Sequence, residues 1–265
     1  MPTTTLLLSR RQTPDSHALW RAASVLGWNV VRARGYEPPP ELAEGARRIV
    51  LYAETLLADA LGSALELALL EPDAEWLARL PARYRLRDVD ATRLGEVREV
   101  RERAFVKPAS EKAFAPRVYE PGEIVDEARA FPDSLPVLIA EPVRFELETR
   151  AFVADRNVAT LSAYLRDGAL AEGDDGAWAL TAEERAEAVG FLEGMLADPA
   201  VALPPGVVID VGRIEGRGLA VVEANPAWSS GLCGCEPRAV LRVLEGAVLP
   251  GAEVDEALKR WVRRV

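Results

Sequence analysis

The stretch VVIDVGRIEGRGLAVVEAN, residues 207–225, decides the fold of this chain. It contains two apolar segments, residues 207–212 and 219–225, separated by the turn-forming sequence Glu215-Gly-Arg-Gly. Two such segments around a tight turn are typical of paired antiparallel strands. We therefore predict a β-hairpin in the last third of the chain.

Three oxygen-bearing side chains follow this hairpin. Glu223 and Asn225 share one face of their strand, because side chains alternate with a period of two, and pairing would bring Asp210 beside them. Mg²⁺ prefers oxygen ligands and is usually held by one or two carboxylates together with water and substrate phosphates. The hairpin thus predicts a magnesium site for a nucleotide. The alternative is that the acids face solvent and that the Asn-Pro pair only opens a turn.

Composition narrows the class of protein. The chain has 265 residues, of which 49% are apolar, and its 42 acidic against 32 basic residues give a formal charge of −10. An acidic surface disfavours general binding to nucleic acids or membranes. No apolar run of about 18 residues occurs, and the first residues lack a signal-peptide pattern, so we expect a soluble, cytoplasmic protein.

Histidine and cysteine are scarce. His17 is the sole histidine, which makes a Ser-His or Cys-His nucleophile improbable. The two cysteines, Cys233 and Cys235, are separated by one residue, which is poor spacing for a disulfide and too few ligands for structural zinc. Their role is left open.

The N-terminal part has the pattern of a parallel α/β unit. A strand at residues 4–8 precedes a helix at 15–26, and two further strands follow at 28–31 and 48–52. A short helix is predicted at residues 76–80.

From residue 101 the pattern favours antiparallel strands, at residues 104–107, 136–141, 149–153 and 158–164. Thr181 and Glu184 form a capping-box pattern that predicts a helix to about residue 197. Two terminal helices are predicted at 237–244 and 253–262. The fold class is therefore α/β (α+β), with an N-terminal α/β subdomain at residues 1–100. A second domain at 101–265 follows, in which 101–142 form a small lid-like part and 143–265 the C-terminal part.

Four motifs carry a resemblance to a known family. They are Asp210 followed by Glu223-Ala-Asn225, then Phe105-Val-Lys107-Pro, Leu138-Ile-Ala-Glu141-Pro-Val143 and Glu148-Thr-Arg150. Together they resemble the ATP-grasp superfamily, and more specifically its clade named for paired lysines and arginines, over residues 101–231. The resemblance implies an ATP-grasp fold with mainly antiparallel sheets. The chain departs from the family because it lacks a glycine-rich loop between Lys107 and Lys112.

The resemblance also implies roles for individual residues. Asp210, Glu223 and Asn225 would be the magnesium ligands, with Glu223 bridging two ions. Nucleotide contacts would come from Lys107 and Lys112 at the phosphates, from Glu141 and the main chain of Val143 at the adenine hinge, and from Glu148 at the ribose, for which Glu146 competes. Arg150 and Arg213 would steady the transferred group. The loop Trp228, Ser229, Ser230 and Gly231 would hold the acceptor, although Trp228 is equally compatible with the core.

The reaction implied by this family is ligation that uses ATP and Mg²⁺. A carboxylate would attack the γ-phosphate to give an acyl phosphate and ADP, and an amine or another nucleophile would then displace phosphate. The partners would be ATP, an unidentified carboxylate and a nucleophile that ranges from an amino acid to a peptide or protein. Two alternatives stay open: a phosphotransferase that stops after the first step, and a nucleotide-binding module without catalysis. The oligomeric state is equally open.

Overall fold

A computed structural model of the protein describes residues 4–42, 48–109, 113–123, 125 and 130–264. Its N-terminal sheet is parallel, with the strand order β2-β1-β3. The strands are β1 (Thr4–Leu8), β2 (Asn29–Arg32) and β3 (Arg48–Tyr52), and the helices beside them are α1 (Pro14–Val25) and α2 (Thr55–Ala64). The central strand β1 is continuously apolar because it is covered on both faces. The predicted parallel α/β unit is confirmed.

A second sheet forms the lid-like part of the chain. It has the order β5-β8-β6-β7, and all its pairs are antiparallel. Its strands are β5 (Val89–Arg93), β6 (Ala104–Pro108), β7 (Arg117–Tyr119) and β8 (Pro136–Ala140). The strand β5 was not expected from the sequence and brings residues before 100 into this sheet. Between the two sheets the chain forms β4 (Leu67–Leu69) and the short helices α3 (Trp76–Arg79) and α4 (Ala82–Arg85).

The largest sheet has the order β11-β10-β9-β12-β13. Its strands are β9 (Phe145–Ala154), β10 (Asn157–Arg166), β11 (Ala169–Leu170), β12 (Gly206–Ile214) and β13 (Gly218–Asn225). The predicted hairpin is β12 and β13. Two helices cover this sheet from opposite sides, α5 (Ala182–Ala197) and α6 (Pro237–Ala247).

The alternation of side chains assigns each face of this sheet to a core. Ile209 and Val211 of β12 pack with Leu192 of α5. Val208 packs with Phe152 and with α6 and the N-terminal sheet in a separate core. The helix α5 begins at Thr181, whose hydroxyl accepts from the main-chain N–H of Glu184 while the Glu184 carboxylate accepts from that of Thr181. The predicted capping box is confirmed.

The C-terminal segment differs from the prediction. In place of a helix at 253–262, the chain forms the strand β14 (Val248–Pro250), which pairs with β4, and two 3-10 turns at Gly251–Glu253 and Lys259–Trp261. The Arg263 guanidinium anchors this segment through hydrogen bonds to both Asp59 and Glu71. Sheet pairing and this buried ion pair replace the helical hydrogen bonds.

The mixed α/β class and the antiparallel sheets of the C-terminal part are confirmed. In the part of the chain described above, no helix is both long enough and apolar enough to cross a membrane.

Candidate active site

Polar side chains cluster on the α6-facing side of the largest sheet. Asp210 on β12 pairs in register with Arg150 on β9 and with Glu223 on β13. Directly opposite residues of adjacent strands are close enough for their side chains to interact. Asn225 lies on the same face, opposite Val208. The three predicted metal ligands and Arg150 therefore come together.

Arg150 and Asp210 form a buried, bidentate ion pair. Arg150 Nε donates to Asp210 Oδ1 at 2.9 Å, and Nη2 donates to Oδ2 at 2.7 Å. The exposed fractions of the two side chains are 8% and 0%. Burial raises the pKa of Asp210, while Arg150 opposes that rise. The guanidinium also stacks on the Tyr164 ring at 4.1 Å and donates to the Gly231 carbonyl oxygen at 3.2 Å, so its position is fixed on three sides.

Lys107 joins the lid-like sheet to this cluster. Its Nζ lies 2.5 Å from Glu223 Oε2, and Asn225 Nδ2 donates to Glu223 Oε1 at 2.8 Å and to Asp210 Oδ2 at 3.3 Å. Burial would raise the pKa of Glu223, but the Lys107 ammonium outweighs it and holds the pKa below its ordinary value. One ion pair thus connects β6 with the edge strand β13.

Glu148 is a third carboxylate near the pair. It lies two residues before Arg150 on β9 and pairs in register with Gly212. Burial, followed by the charges of Asp210 and Glu223, raises the pKa of Glu148 to about 7. The side chain therefore belongs to the same electrostatic cluster.

The donor set suits an open magnesium site. Asp210, Glu223 and Asn225 converge, and a flip of the Asn225 amide would present its oxygen. The described residues contain no group of three or more His, Cys, Asp or Glu side chains arranged to hold a metal by themselves. Mg²⁺ rarely uses such a closed cage, because phosphate and water oxygens complete its coordination. Lys107 and Arg150 now neutralise the two carboxylates, so the cluster already has the charge balance that an ion would provide.

The loop after β13 separates into buried and accessible residues. Trp228 is 0% exposed and donates from Nε1 to the Leu70 carbonyl oxygen at 3.0 Å, so it belongs to the core and we remove it from the substrate contacts. Ser230 is also buried, and its carbonyl oxygen accepts from Tyr52 Oη at 3.0 Å. Ser229 and Gly231 are partly accessible.

Other predicted residues lie apart from the cluster. Arg213 lies on the α5-facing side of β12 and pairs with Glu187, because side chains alternate along the strand and Arg213 follows Asp210 by an odd number of positions. We therefore leave Arg213 out of the site. Glu141 pairs with Arg217, at 2.5 Å between Nη2 and Oε1, and Val143 lies between β8 and β9, outside both ladders. Lys112 falls outside the described residues.

Sequence reasoning missed two residues of the site. Tyr164 supports Arg150 from β10. Arg87 follows α4 and donates to the carbonyl oxygens of Val221 and Val222 beside Glu223, at 2.8 and 3.1 Å. An arginine in an arginine-rich helical segment carries no local signal of such a contact, so only the three-dimensional arrangement identifies it.

Comparisons with known proteins agree with this geometry. A family model of the ATP-grasp domain matches residues 84–243, and it describes family 2 of the clade named for lysines and arginines. A sequence search of curated proteins finds no significant match.

Solved structures share the fold at low sequence identity. A RimK domain ATP-grasp protein from Sphaerobacter thermophilus DSM 20745 has a TM-score of 0.53 and 16% identity, covering 92% of this chain and 98% of its own. The ATP-grasp ligase PsnB, complexed with a minimal precursor, has a TM-score of 0.54 and 15% identity, covering 92% and 99%. N5-carboxyaminoimidazole synthetase from Staphylococcus aureus, complexed with ADP, has a TM-score of 0.56 and 12% identity, covering 93% and 78%. The family match spans more than half of the chain, and this protein therefore belongs to the ATP-grasp domain family, in family 2 of the clade named for lysines and arginines.

Proposed function

We propose that this protein is a ligase that uses ATP and Mg²⁺ to join a carboxylate to an amine or a similar nucleophile. The observation that carries the proposal is the Lys107–Glu223 ion pair between the lid-like sheet and the edge of the largest sheet. It lies next to the second carboxylate of the site, Asp210, and its bound Arg150. Two cations and two carboxylates at the junction of two sheets match what a magnesium-bound triphosphate requires.

In this proposal the triphosphate lies between the two sheets. Lys107 turns from Glu223 to a phosphate oxygen, since an ammonium on a flexible stem can exchange one anionic partner for another. Asp210, Glu223 and Asn225 would hold Mg²⁺, which when bound neutralises charge on the phosphate oxygens. Arg150 keeps Asp210 oriented and faces the transferred group.

The remaining nucleotide contacts are carried over from the sequence prediction. The main chain of Val143, with Glu141, would contact the adenine, Glu148 the ribose and Lys112 the phosphates. Among the residues after β13, Ser229 and Gly231 are accessible and are the proposed acceptor contacts. A glycine there allows the main chain to approach an anionic group closely.

The proposed reaction has two steps. A carboxylate oxygen attacks the γ-phosphorus of ATP, the bond to the β-phosphate oxygen breaks, and ADP leaves. The nucleophile then attacks the carbonyl carbon of the acyl phosphate, phosphate leaves, and the nucleophile loses its proton. Such chemistry depends on positioning and charge neutralisation rather than on a protein nucleophile, in agreement with a chain whose one histidine, His17, is exposed on α1.

Calorimetry with a non-hydrolysable ATP analogue tests the binding site. Mg²⁺-dependent binding is expected for the parent protein and should be lost in Glu223→Gln. The matched control is Glu215→Gln, because Glu215 is an exposed acid in the β12–β13 turn that pairs with Arg144. If the parent protein binds the analogue equally well with and without Mg²⁺, or if both variants behave alike, the proposed site is wrong.

Product analysis tests the reaction. The structural relatives include D-alanine–D-alanine ligase, N5-carboxyaminoimidazole synthetase and PsnB, so the first panel contains amino acids, a small cyclic amine and short peptides. A ligase should release ADP only when a carboxylate is present and form a new amide when an amine is added. A stable phosphorylated product that does not change when amines are added would identify a phosphotransferase instead.

A further inference from the structure

A β-bulge in β13 determines which way Glu223 points. Glu223 pairs with Asp210, but the next pair is Val211 with Val221, so Val222 is an extra residue with no partner of its own. In a regular strand, Val221 and Glu223 would share a face. The extra residue instead leaves Val221 in the core beneath α5 and turns Glu223 to the opposite face, where Asp210 and Lys107 lie.

The bulge has little support from the sheet itself. The strand β13 is at the edge of the five-stranded sheet, so only β12 pairs with it. A bulge disrupts the ladder locally and leaves main-chain groups of the bulged strand without a partner. Edge strands with such irregularities need a restraint from outside the sheet to keep one register.

Arg87 supplies such a restraint. Its Nη1 donates to the carbonyl oxygen of Val221 at 2.8 Å and its Nη2 to that of Val222 at 3.1 Å, which are the two residues around the irregularity. Its Nη1 also donates to the carbonyl oxygen of Arg85 at 3.1 Å, which ties the guanidinium to its own loop. One planar fork thus connects the loop after α4 to both sides of the bulge.

The surroundings of Arg87 hold it in this orientation. Its guanidinium lies 5.2 Å from the centroid of the Phe145 ring. Burial lowers the pKa of Arg87 to about 10, while the carboxylates of Glu148, Glu141 and Glu223 favour its charged form. Arg87 is therefore charged at neutral pH and faces the acidic side of the site.

We propose that Arg87 is a positioning residue: it stabilises the bulge at Val222 and thereby keeps Glu223 turned toward the magnesium and nucleotide site. This inference rests on the proposed function for the role of Glu223. Its structural part, that Arg87 maintains the bulge, stands independently of that role.

The first measurement is the Mg²⁺ concentration required for half-maximal binding of a non-hydrolysable ATP analogue to the full-length protein. Arg87→Ala is expected to raise this concentration by about tenfold or more, the loss typical when a supporting partner of a metal ligand is removed. Arg87→Lys should recover part of the loss, because an ammonium can still donate to the freed carbonyl oxygens.

The matched control is Arg156→Ala. Arg156 also donates three hydrogen bonds to carbonyl oxygens, those of Leu196, Asp198 and Val201 at 2.7, 2.8 and 2.7 Å, but at the end of α5 and away from the cluster. Loss of stability alone should lower the melting temperature of both variants and leave the Mg²⁺ requirement of Arg156→Ala unchanged. Equal Mg²⁺ requirements for Arg87→Ala and the parent protein would overturn the inference.

A crystal structure of Arg87→Ala is the second measurement and needs neither metal nor nucleotide. We expect Val222 to join the ladder or β13 to lose order, with Glu223 moving away from Lys107. An unchanged bulge would refute the inference. If the parent protein shows no Mg²⁺-dependent binding at all, the proposed function fails, while this crystal structure still decides whether Arg87 maintains the bulge.

Discussion

Replacing Arg150 with methionine should strongly destabilise the protein at neutral pH. Methionine retains an unbranched apolar stem but removes both hydrogen bonds to Asp210, which are 2.9 and 2.7 Å long. Asp210 is 0% exposed and would keep only the 3.3 Å contact with Asn225. A buried carboxylate without its cation is costly because it has lost both water and its counter-charge.

The expected loss in the free energy of unfolding is about 3–5 kcal/mol, the usual result of removing one partner from a buried ion pair. The loss should depend on pH. Without Arg150, burial raises the pKa of Asp210 further above its unfolded value, so the folded state binds an additional proton. Stability should therefore be greatest at acidic pH and should fall as the pH rises through the folded-state pKa of Asp210.

Urea unfolding followed by tryptophan fluorescence measures this effect, with parent and variant compared from about pH 5 to about pH 8. The double variant Arg150→Met, Asp210→Asn should recover much of the loss, because it removes the unpaired charge. If the proposed metal site is correct, added Mg²⁺ should stabilise Arg150→Met more than the double variant. A loss below about 1 kcal/mol at pH 8, or no recovery in the double variant, would refute this account of the pair.

Three further outcomes are expected. Lys107→Met should weaken binding of the ATP analogue by about tenfold or more in calorimetry, because a charge-assisted contact of about 1.5–3 kcal/mol is lost; unchanged affinity would exclude Lys107 from the site. Glu148→Gln should be more stable than the parent protein by about 2 kcal/mol at pH 8 and by much less at pH 5, since a folded-state pKa of about 7 destabilises the parent as the pH rises; a difference that does not vary with pH in denaturant titrations would contradict this. Gly206→Ala should lower the free energy of unfolding by at least about 1–3 kcal/mol, because its Cβ would lie 2.6 Å from the main-chain nitrogen of Ala247, whereas Gly190→Ala, with open space on α5, should stabilise by about 0.5–1 kcal/mol; equal effects would contradict this reading of the packing.

Features that depend on neighbouring residues in the chain could be predicted from the sequence. The alternating apolar residues of β12 and β13, with the glycine-containing turn between them, were sufficient to predict the hairpin. The capping box at Thr181 was equally local, because its two hydrogen bonds join residues three positions apart. The family motifs around Lys107 and Glu223 followed from the same short patterns, and the family itself is confirmed.

Features that depend on partners distant in sequence required the tertiary structure. The sequence placed Arg150 near a phosphate, whereas the fold also pairs it with the buried Asp210. The fold likewise encloses Trp228 in the core and directs Arg213 to α5.

The orientation of Glu223 shows the difference most directly. Strand alternation alone places it with Asn225, but the extra residue Val222 decides which face of the sheet both side chains occupy. That bulge depends on pairing with β12 and on hydrogen bonds from Arg87, which lies far away in the sequence. The sequence therefore determined the residue types and the strands that bear them, and only the tertiary structure decided their common face, because strand register is set by contacts between distant segments.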